Sequence, residues 1–127
     1  MRARLPLQEG IVDRDGVGLH YEIYGDAPDT MVFVPPWSIV HSRVYKAQIP
    51  WFSERFRCIT YDPRGNGKSG RPTEAAAYSL DNHVADLLAV MDATSAGRAI
   101  LVGLSFGGHL SCIVAAYHPE RVRAAIL

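Results

Sequence analysis

The sequence predicts an α/β fold with a mostly parallel sheet, flanking helices and an N-terminal hairpin. Short apolar runs typical of buried strands alternate with longer segments of helical periodicity. Two strand-like runs near the start are joined by Asp15-Gly16, which is a strong hairpin signal. No repeat, low-complexity tract or linker interrupts this pattern. We therefore expect residues 1–127 to belong to a single domain.

Composition and charge exclude several classes of function. The chain has 13 lysines and arginines and 13 aspartates and glutamates, so no net field attracts nucleic acid or an anionic membrane. No apolar run is long enough to span a membrane or to form a signal peptide. Cys58 and Cys112 lie in apolar segments and are interpreted as buried free thiols rather than a disulfide. These features predict a cytoplasmic protein without a nucleic-acid or membrane partner.

The first half of the chain supplies four of the predicted strands. They cover 9–13, 17–24, 30–34 and 56–61. The segment 42–53 has apolar residues near helical spacing, and Pro50 breaks or kinks that helix. In the second hairpin strand His20 and Glu22 share the face opposite the apolar side chains. His20 is therefore predicted to be a solvated strand residue.

The second half continues the alternation of helices and strands. A helix over 79–92 has Ser79 as its N-cap and an apolar stripe at three- and four-residue steps. We place His83 and Asp86 on its polar side. The remaining elements are a strand over 98–103, a helix over 106–117 and a strand over 122–127.

A glycine-rich loop follows the strand at 56–61 and resembles a phosphate-binding loop. The phosphate-binding pattern requires glycine at position 62, where Asp62 stands, and it requires a helix to start immediately. Arg71-Pro72 instead separates the loop from the next helix. The sequence therefore favours a tightly wound loop that Asp62 and Arg64 hold in place, and no nucleotide cofactor is expected.

The segment Gly103-Leu104-Ser105-Phe106-Gly107 forms a G-x-S-x-G pattern between a buried strand and a helix of small residues. This is the context of a nucleophile elbow, in which a strained turn exposes the serine hydroxyl above the sheet. The helix that follows directs its N-terminal N–H groups at the position where an oxyanion forms. The alternative is a glycine-rich turn whose serine only caps the helix.

The glycine-rich loop and the G-x-S-x-G turn, in this order along the chain, resemble the first half of an α/β-hydrolase. The loop Asp62-Pro63-Arg64-Gly65-Asn66-Gly67-Lys68-Ser69 is similar to the loop that follows the fourth strand of that family. Pro119-Glu120-Arg121-Val122 is similar to its entry into the sixth strand, and the resemblance extends from about Glu9 to Leu127. It implies the strand order 1-2-4-3-5-6.

The resemblance also implies roles for individual residues. Ser105 corresponds to the nucleophile, and the N–H of Phe106 corresponds to one donor of the oxyanion hole. The second donor comes in the family from the turn after the third strand, where Trp37 is our candidate. This chain has Pro35-Pro36 where the family often has His-Gly. The family hydrolyses esters, amides, epoxides or carbon–carbon bonds, which implies a small-molecule substrate and no cofactor.

A serine nucleophile needs a base and a carboxylate, which follow it along the chain in this fold. Only His109, His118 and Glu120 come after Ser105, and His118 precedes Glu120. His109 lies one helical turn after Ser105 and is a weak candidate for the base. No metal-site spacing occurs among the histidines and cysteines. We therefore expect an amino-terminal part of a hydrolase domain that lacks its acid and base.

The last residues of the chain, 124–127, predict an apolar strand with no helix to cover it. Such an edge promotes self-association. We expect the sheet to be incomplete and the chain to be a poor enzyme alone. A non-catalytic ligand-binding or receptor-like module on the same scaffold is the alternative function.

Overall fold

The computed structural model describes residues 4–127 and contains a six-stranded sheet with helices on both faces. The strands are β1 (Gln8–Arg14), β2 (Val17–Tyr24), β3 (Thr30–Val34), β4 (Arg57–Tyr61), β5 (Ala99–Gly103) and β6 (Val122–Ile126). The α-helices are α1 (Ile49–Phe52), α2 (Leu80–Ala93) and α3 (Phe106–Tyr117). Single 3₁₀ turns cover Ser42–Tyr45, Ala75–Tyr78 and Pro119–Arg121.

The strands are arranged in the order β1-β2-β4-β3-β5-β6, as predicted. Strands β1, β2 and β4 pair antiparallel, whereas the pairs β4–β3, β3–β5 and β5–β6 are parallel. Because parallel strands share one direction, the carboxyl ends of β3, β4 and β5 lie along the same edge of the sheet. The residues that follow these strands therefore meet there.

Two apolar clusters cover the two faces of the sheet. Val32 and Val34 of β3 belong to the larger cluster, under α2 and α3. Met31 and Phe33 alternate with them and pack against Tyr45 and α1 on the other face. The central strands are therefore buried on both sides, which explains their uninterrupted apolar sequences.

The helix predicted over 42–53 is the least accurate prediction of secondary structure. The segment forms a 3₁₀ turn at Ser42–Tyr45, then a turn, and then the four-residue helix α1. Pro50 lies in the first turn of α1, where its missing N–H leaves no hydrogen bond unmade. The proline therefore starts a new helix instead of kinking a longer one.

The prediction that His20 is solvated is wrong, because His20 is only 5% exposed and its neighbour Glu22 only 2%. β2 is an interior strand. The loop after β4 covers His20, whereas Glu22 faces Arg43 of the segment after β3. The backbone N–H of His20 donates to Ser69 Oγ at 2.9 Å. The ring nitrogen Nδ1 of His20 lies 3.6 Å from Asp62 Oδ2. Period-two alternation identified the face correctly but not the loop that covers it.

The polar side assigned to α2 is also buried. His83 is 4% exposed and Asp86 1%, because β1 and the loop after β4 pack against this part of the helix. The interpretation of the cysteines is correct for Cys58, which is a buried free thiol, and wrong for Cys112, which is a free thiol exposed on α3. Within residues 4–127 no helix is long and apolar enough to cross a membrane.

Candidate active site

Ser105 lies between β5 and α3 in a strained turn. Its backbone has φ 56° and ψ −121°, a left-handed conformation that residues other than glycine seldom adopt. A Cβ at Gly103 would lie 2.7 Å from the Gly108 nitrogen, and one at Gly107 would lie 2.7 Å from the Pro35 oxygen. The two glycines therefore allow α3 to begin directly against β5 and the end of β3.

The Ser105 side chain faces an open cleft of about 450 Å³ at the carboxyl edge of the sheet. The cleft is lined by Trp37, Ser38, Ser105, Phe106 and His109. Its walls are mostly apolar, and Trp37 is 55% exposed. A small neutral molecule fits this lining better than a charged one.

The two predicted oxyanion donors do not converge in this structure. The Phe106 N–H donates to the carbonyl oxygen of Pro36 at 3.1 Å. All described peptide bonds are trans, so the N–H of Trp37 points away from the carbonyl of the same peptide unit. An oxyanion hole built from both groups therefore requires the Pro36–Trp37 peptide to rotate.

Asp62 holds its own loop in place, as predicted, and it also binds the segment that follows Trp37. Asp62 Oδ1 accepts from the Ser42 N–H and Oδ2 from the Lys68 N–H, both at 2.9 Å. Burial of Asp62 disfavours its charge, but these N–H groups outweigh burial and lower the pKa of the carboxyl. Asn66 also donates from its side chain to the Ser38 oxygen. One loop thus fixes both ends of the segment 38–42.

The buried charge of Asp86 is compensated by two arginines. Arg64 donates to its two oxygens at 2.6 and 2.7 Å, and Arg14 donates at 2.5 Å. Arg64 also donates to the Ala77 oxygen. The prediction that Arg64 pins its loop is confirmed, and Asp86 is the partner that the sequence analysis missed.

His83 is the second residue whose burial the sequence analysis did not predict. Its ring meets the ring of Phe106 edge to face, with centroids 5.2 Å apart. Burial lowers the pKa of His83 below its ordinary value, although Asp86 opposes this shift. His83 lies four and seven residues before Leu87 and Val90, which are both fully buried. That spacing was the available signal for its burial.

The three candidate partners of Ser105 lie in different places. His109 is exposed and borders the cleft, but within residues 4–127 no hydrogen bond joins its ring to Ser105. His118 and Glu120 follow α3, with His118 Nδ1 3.8 Å from Glu120 Oε1. The 12-residue helix puts them about 18 Å along its axis from Ser105.

A cluster of Glu9, His20 and Glu22 brings three ligand atoms within 4.8 Å of one another. Cations already face both carboxylates: Lys68 Nζ lies 3.3 Å from Glu9 and Arg43 3.7 Å from Glu22. The arrangement therefore favours a cluster of ion pairs, half-exposed at Glu9 and Lys68, over a metal site.

Comparisons with known proteins support the predicted fold. The family model described as "alpha/beta hydrolase fold" matches residues 31–127. The chain is 32% identical over 107 residues to RutD of Caulobacter segnis, whose name assigns it as a carbamate hydrolase, covering 83% of this chain and 40% of RutD. It is 30% identical over 118 residues to bifunctional epoxide hydrolase 2 of Sus scrofa, covering 90% of this chain and 20% of that protein.

Solved structures give the same result. An N-acyl homoserine lactone degrading enzyme, Est816, superimposes with a TM-score of 0.83 and 34% identity, covering 91% of this chain and 43% of the enzyme. A hydrolase from Pseudomonas aeruginosa superimposes with a TM-score of 0.85 and 28% identity, covering 95% and 45% of the two chains. The chain spans less than half the length of each of these four proteins.

Proposed function

The chain belongs to the α/β hydrolase fold family, and we propose that it carries the nucleophile of a serine hydrolase acting on a small ester-like substrate. The observation that carries this proposal is the backbone of Ser105, a serine held at φ 56° and ψ −121° at the mouth of the cleft. Strain of this kind is retained where the surrounding fold enforces it, which is common at catalytic sites.

In the proposed reaction Ser105 Oγ attacks the carbonyl carbon of the substrate while a base accepts the hydroxyl proton. The carbonyl oxygen becomes an oxyanion, which the N–H groups of Phe106 and Trp37 stabilise once the Pro36–Trp37 peptide has rotated. When the intermediate collapses, its bond to the alkoxy group breaks, and this group leaves as the alcohol with the proton that the base took from Ser105. Water then hydrolyses the acyl-serine ester to the carboxylic acid and restores the serine hydroxyl. The relatives named for carbamate and lactone substrates support an attacked carbonyl.

We propose that the acid and the base come from residues outside this chain. The candidates after Ser105 occur in the wrong order, and His118 and Glu120 are at the far end of α3. The relatives RutD and Est816 are more than twice as long as this chain. The 127 residues alone are then expected to hydrolyse esters slowly, at a rate that His109→Ala leaves nearly unchanged.

Labelling with a fluorophosphonate, carried out on the full-length form that supplies the proposed acid and base, tests the assignment of the nucleophile. We expect one adduct, mapped to Ser105 by mass spectrometry, and none in Ser105→Ala. Ser79→Ala is the matched control, because Ser79 is an exposed serine that caps α2 away from the cleft. An adduct on another residue, or equal labelling of the Ser105→Ala variant, contradicts the proposal.

The second candidate function is a non-catalytic binding module. It is favoured by the hydrogen bond from the Phe106 N–H to the Pro36 oxygen, which occupies a donor that catalysis requires. A binding module is expected to retain small neutral esters in the cleft without forming an adduct on Ser105. Ligand binding together with an unlabelled Ser105 therefore identifies this alternative.

A further inference from the structure

Tyr45 is a buried tyrosine directly behind the candidate site. It ends the 3₁₀ turn after β3 and is 7% exposed, with its ring packed against Phe33 at a centroid distance of 5.2 Å. Its hydroxyl donates to the carbonyl oxygen of Val34 at 2.7 Å. A phenylalanine ring would pack equally well at this position of the apolar cluster, so packing does not explain why residue 45 carries a hydroxyl.

The Val34 carbonyl lies where three parts of the site meet. Val34 is the last residue of β3 and precedes the Pro35-Pro36-Trp37 turn. In the sheet it is paired with Gly103, two residues before Ser105. A Cβ added at Gly107 would contact both carbon and oxygen of this carbonyl, so the first turn of α3 also rests on it.

The Tyr45 hydroxyl is a protonated donor rather than a phenolate. Burial raises the pKa of Tyr45, and the backbone amide of Leu104 partly opposes that shift. The phenol therefore stays protonated and able to donate to the Val34 oxygen.

We propose that Tyr45 is a positioning residue, whose hydroxyl holds the Pro35-Pro36-Trp37 turn against the nucleophile turn through the Val34 carbonyl. This inference rests on the proposed function, since it assigns Tyr45 a role in the reactivity of Ser105. Tyr45 touches neither the cleft nor Ser105, so it acts on the relative position of the two turns.

The substitution Tyr45→Phe tests this role, because it removes the hydroxyl and keeps the ring. The matched control is Tyr24→Phe, which removes a hydroxyl from the same apolar cluster. Tyr24 donates to Glu22 and is paired with Cys58 near the start of β4, at the opposite end of the sheet from Ser105. Both variants are made in the full-length form that supplies the proposed base, and they are labelled with a fluorophosphonate below the thermal unfolding midpoint of the less stable one.

Tyr45→Phe is expected to lower the maximal rate of Ser105 labelling by about tenfold, because loss of the hydroxyl lets the two turns shift and misplaces Ser105 relative to the oxyanion donors. The probe concentration that gives half of that rate stays unchanged, because the cleft is intact. Tyr24→Phe keeps the rate of the unmodified chain. Equal losses in the two variants overturn the inference, because they indicate a general effect on stability.

Failure of this inference and failure of the proposed function give different results. A full-length form without substitutions that is never labelled at Ser105 overturns the proposed function and the role of Tyr45 with it. Labelling of Ser105 that is equally fast in the unmodified chain and in Tyr45→Phe overturns only the role of Tyr45.

Amide hydrogen exchange supplies a second measurement that does not depend on folding of the variant. The Phe106 amide, which donates to the Pro36 oxygen, is expected to exchange as slowly as the amides of β5, because the two turns are held together. Exchange of the Phe106 amide at the rate of an unprotected loop overturns the inference.

Discussion

At Ser105 the backbone stores strain that a glycine would release. Conformations of this kind cost about 1–3 kcal/mol in other residues, whereas glycine adopts them freely. Ser105 has no side-chain hydrogen bond to the start of α3 that could compensate. The close backbone contacts around Gly103 and Gly107 therefore enforce the strained conformation of the turn.

We therefore expect Ser105→Gly to be more stable than Ser105→Ala. Both variants lack the hydroxyl, so the difference reports the backbone alone. Relief of strain, reduced by the larger entropy of glycine in the unfolded chain, leaves a gain of about 1 kcal/mol in the free energy of unfolding. Urea denaturation measures it, and an equal or lower stability of the glycine variant contradicts the strain at this position.

His83 predicts how stability depends on pH. Burial lowers its pKa in the folded chain, so below about pH 6.5 the unfolded chain binds a proton that the folded chain does not. The stability that neutral His83 contributes is present above that pH and is lost as the pH falls towards the lower folded pKa. His83→Phe is expected to flatten the decline in unfolding free energy through this window. Denaturation at several pH values measures it, and identical slopes for the two proteins contradict the assignment.

Among the structural elements, the loop after β4 does most to shape the site. It reaches from Asp62 to Gly70 and contacts the segment 38–42 through the Asp62 carboxylate and the Asn66 amide. Gly67 adopts φ 52°, and a Cβ there would collide with the Asp62 carboxylate. Glycine at this position therefore lets the loop wrap around the carboxylate that holds it.

Asp62→Asn is expected to destabilise the fold by about 1–3 kcal/mol, because an amide NH₂ would replace one of two oxygens that accept backbone N–H groups. Asp26→Asn is the matched control, since Asp26 is exposed in the turn before β3. The carboxylate of Asp62 contributes stability above its ordinary pKa that is lost in acid, so the difference between Asp62→Asn and the unmodified chain narrows as the pH falls. Equal stability of the two variants at neutral pH contradicts this role.

The sequence predicted the strands, helices and turns well where each depends on a local pattern of residues. Apolar runs, Asp15-Gly16 and the G-x-S-x-G turn each define their own conformation, whereas the strand order came from the family resemblance. The prediction failed where burial depends on distant residues. His20 is covered by the loop that contains Ser69, which lies 49 residues later in the chain. Asp86 is buried because Arg14 and Arg64 neutralise its charge. The direction of the Pro36 carbonyl also depends on a partner, Phe106, that lies far along the chain.

At the scale of the whole molecule, the two edges of the sheet differ in their protection. β1 carries Glu9, Asp13 and Arg14, charges that oppose pairing with another strand. β6 has the sequence VRAAI, with Arg123 as its single charge, and its residues are largely exposed. Within residues 4–127 β6 pairs only with β5. The β6 edge is therefore the expected surface of self-association.

The substitution Ile126→Lys is expected to weaken self-association of the 127-residue chain. Ile126 is 49% exposed at the end of β6, so a lysine there adds charge to the edge without disturbing a buried position. The matched control is Ile11→Lys, at a 66% exposed isoleucine on β1. Sedimentation velocity over a range of concentrations measures the effect. The opposite result, in which Ile11→Lys abolishes association and Ile126→Lys does not, contradicts the prediction. It would show that the chains associate through β1 rather than through β6.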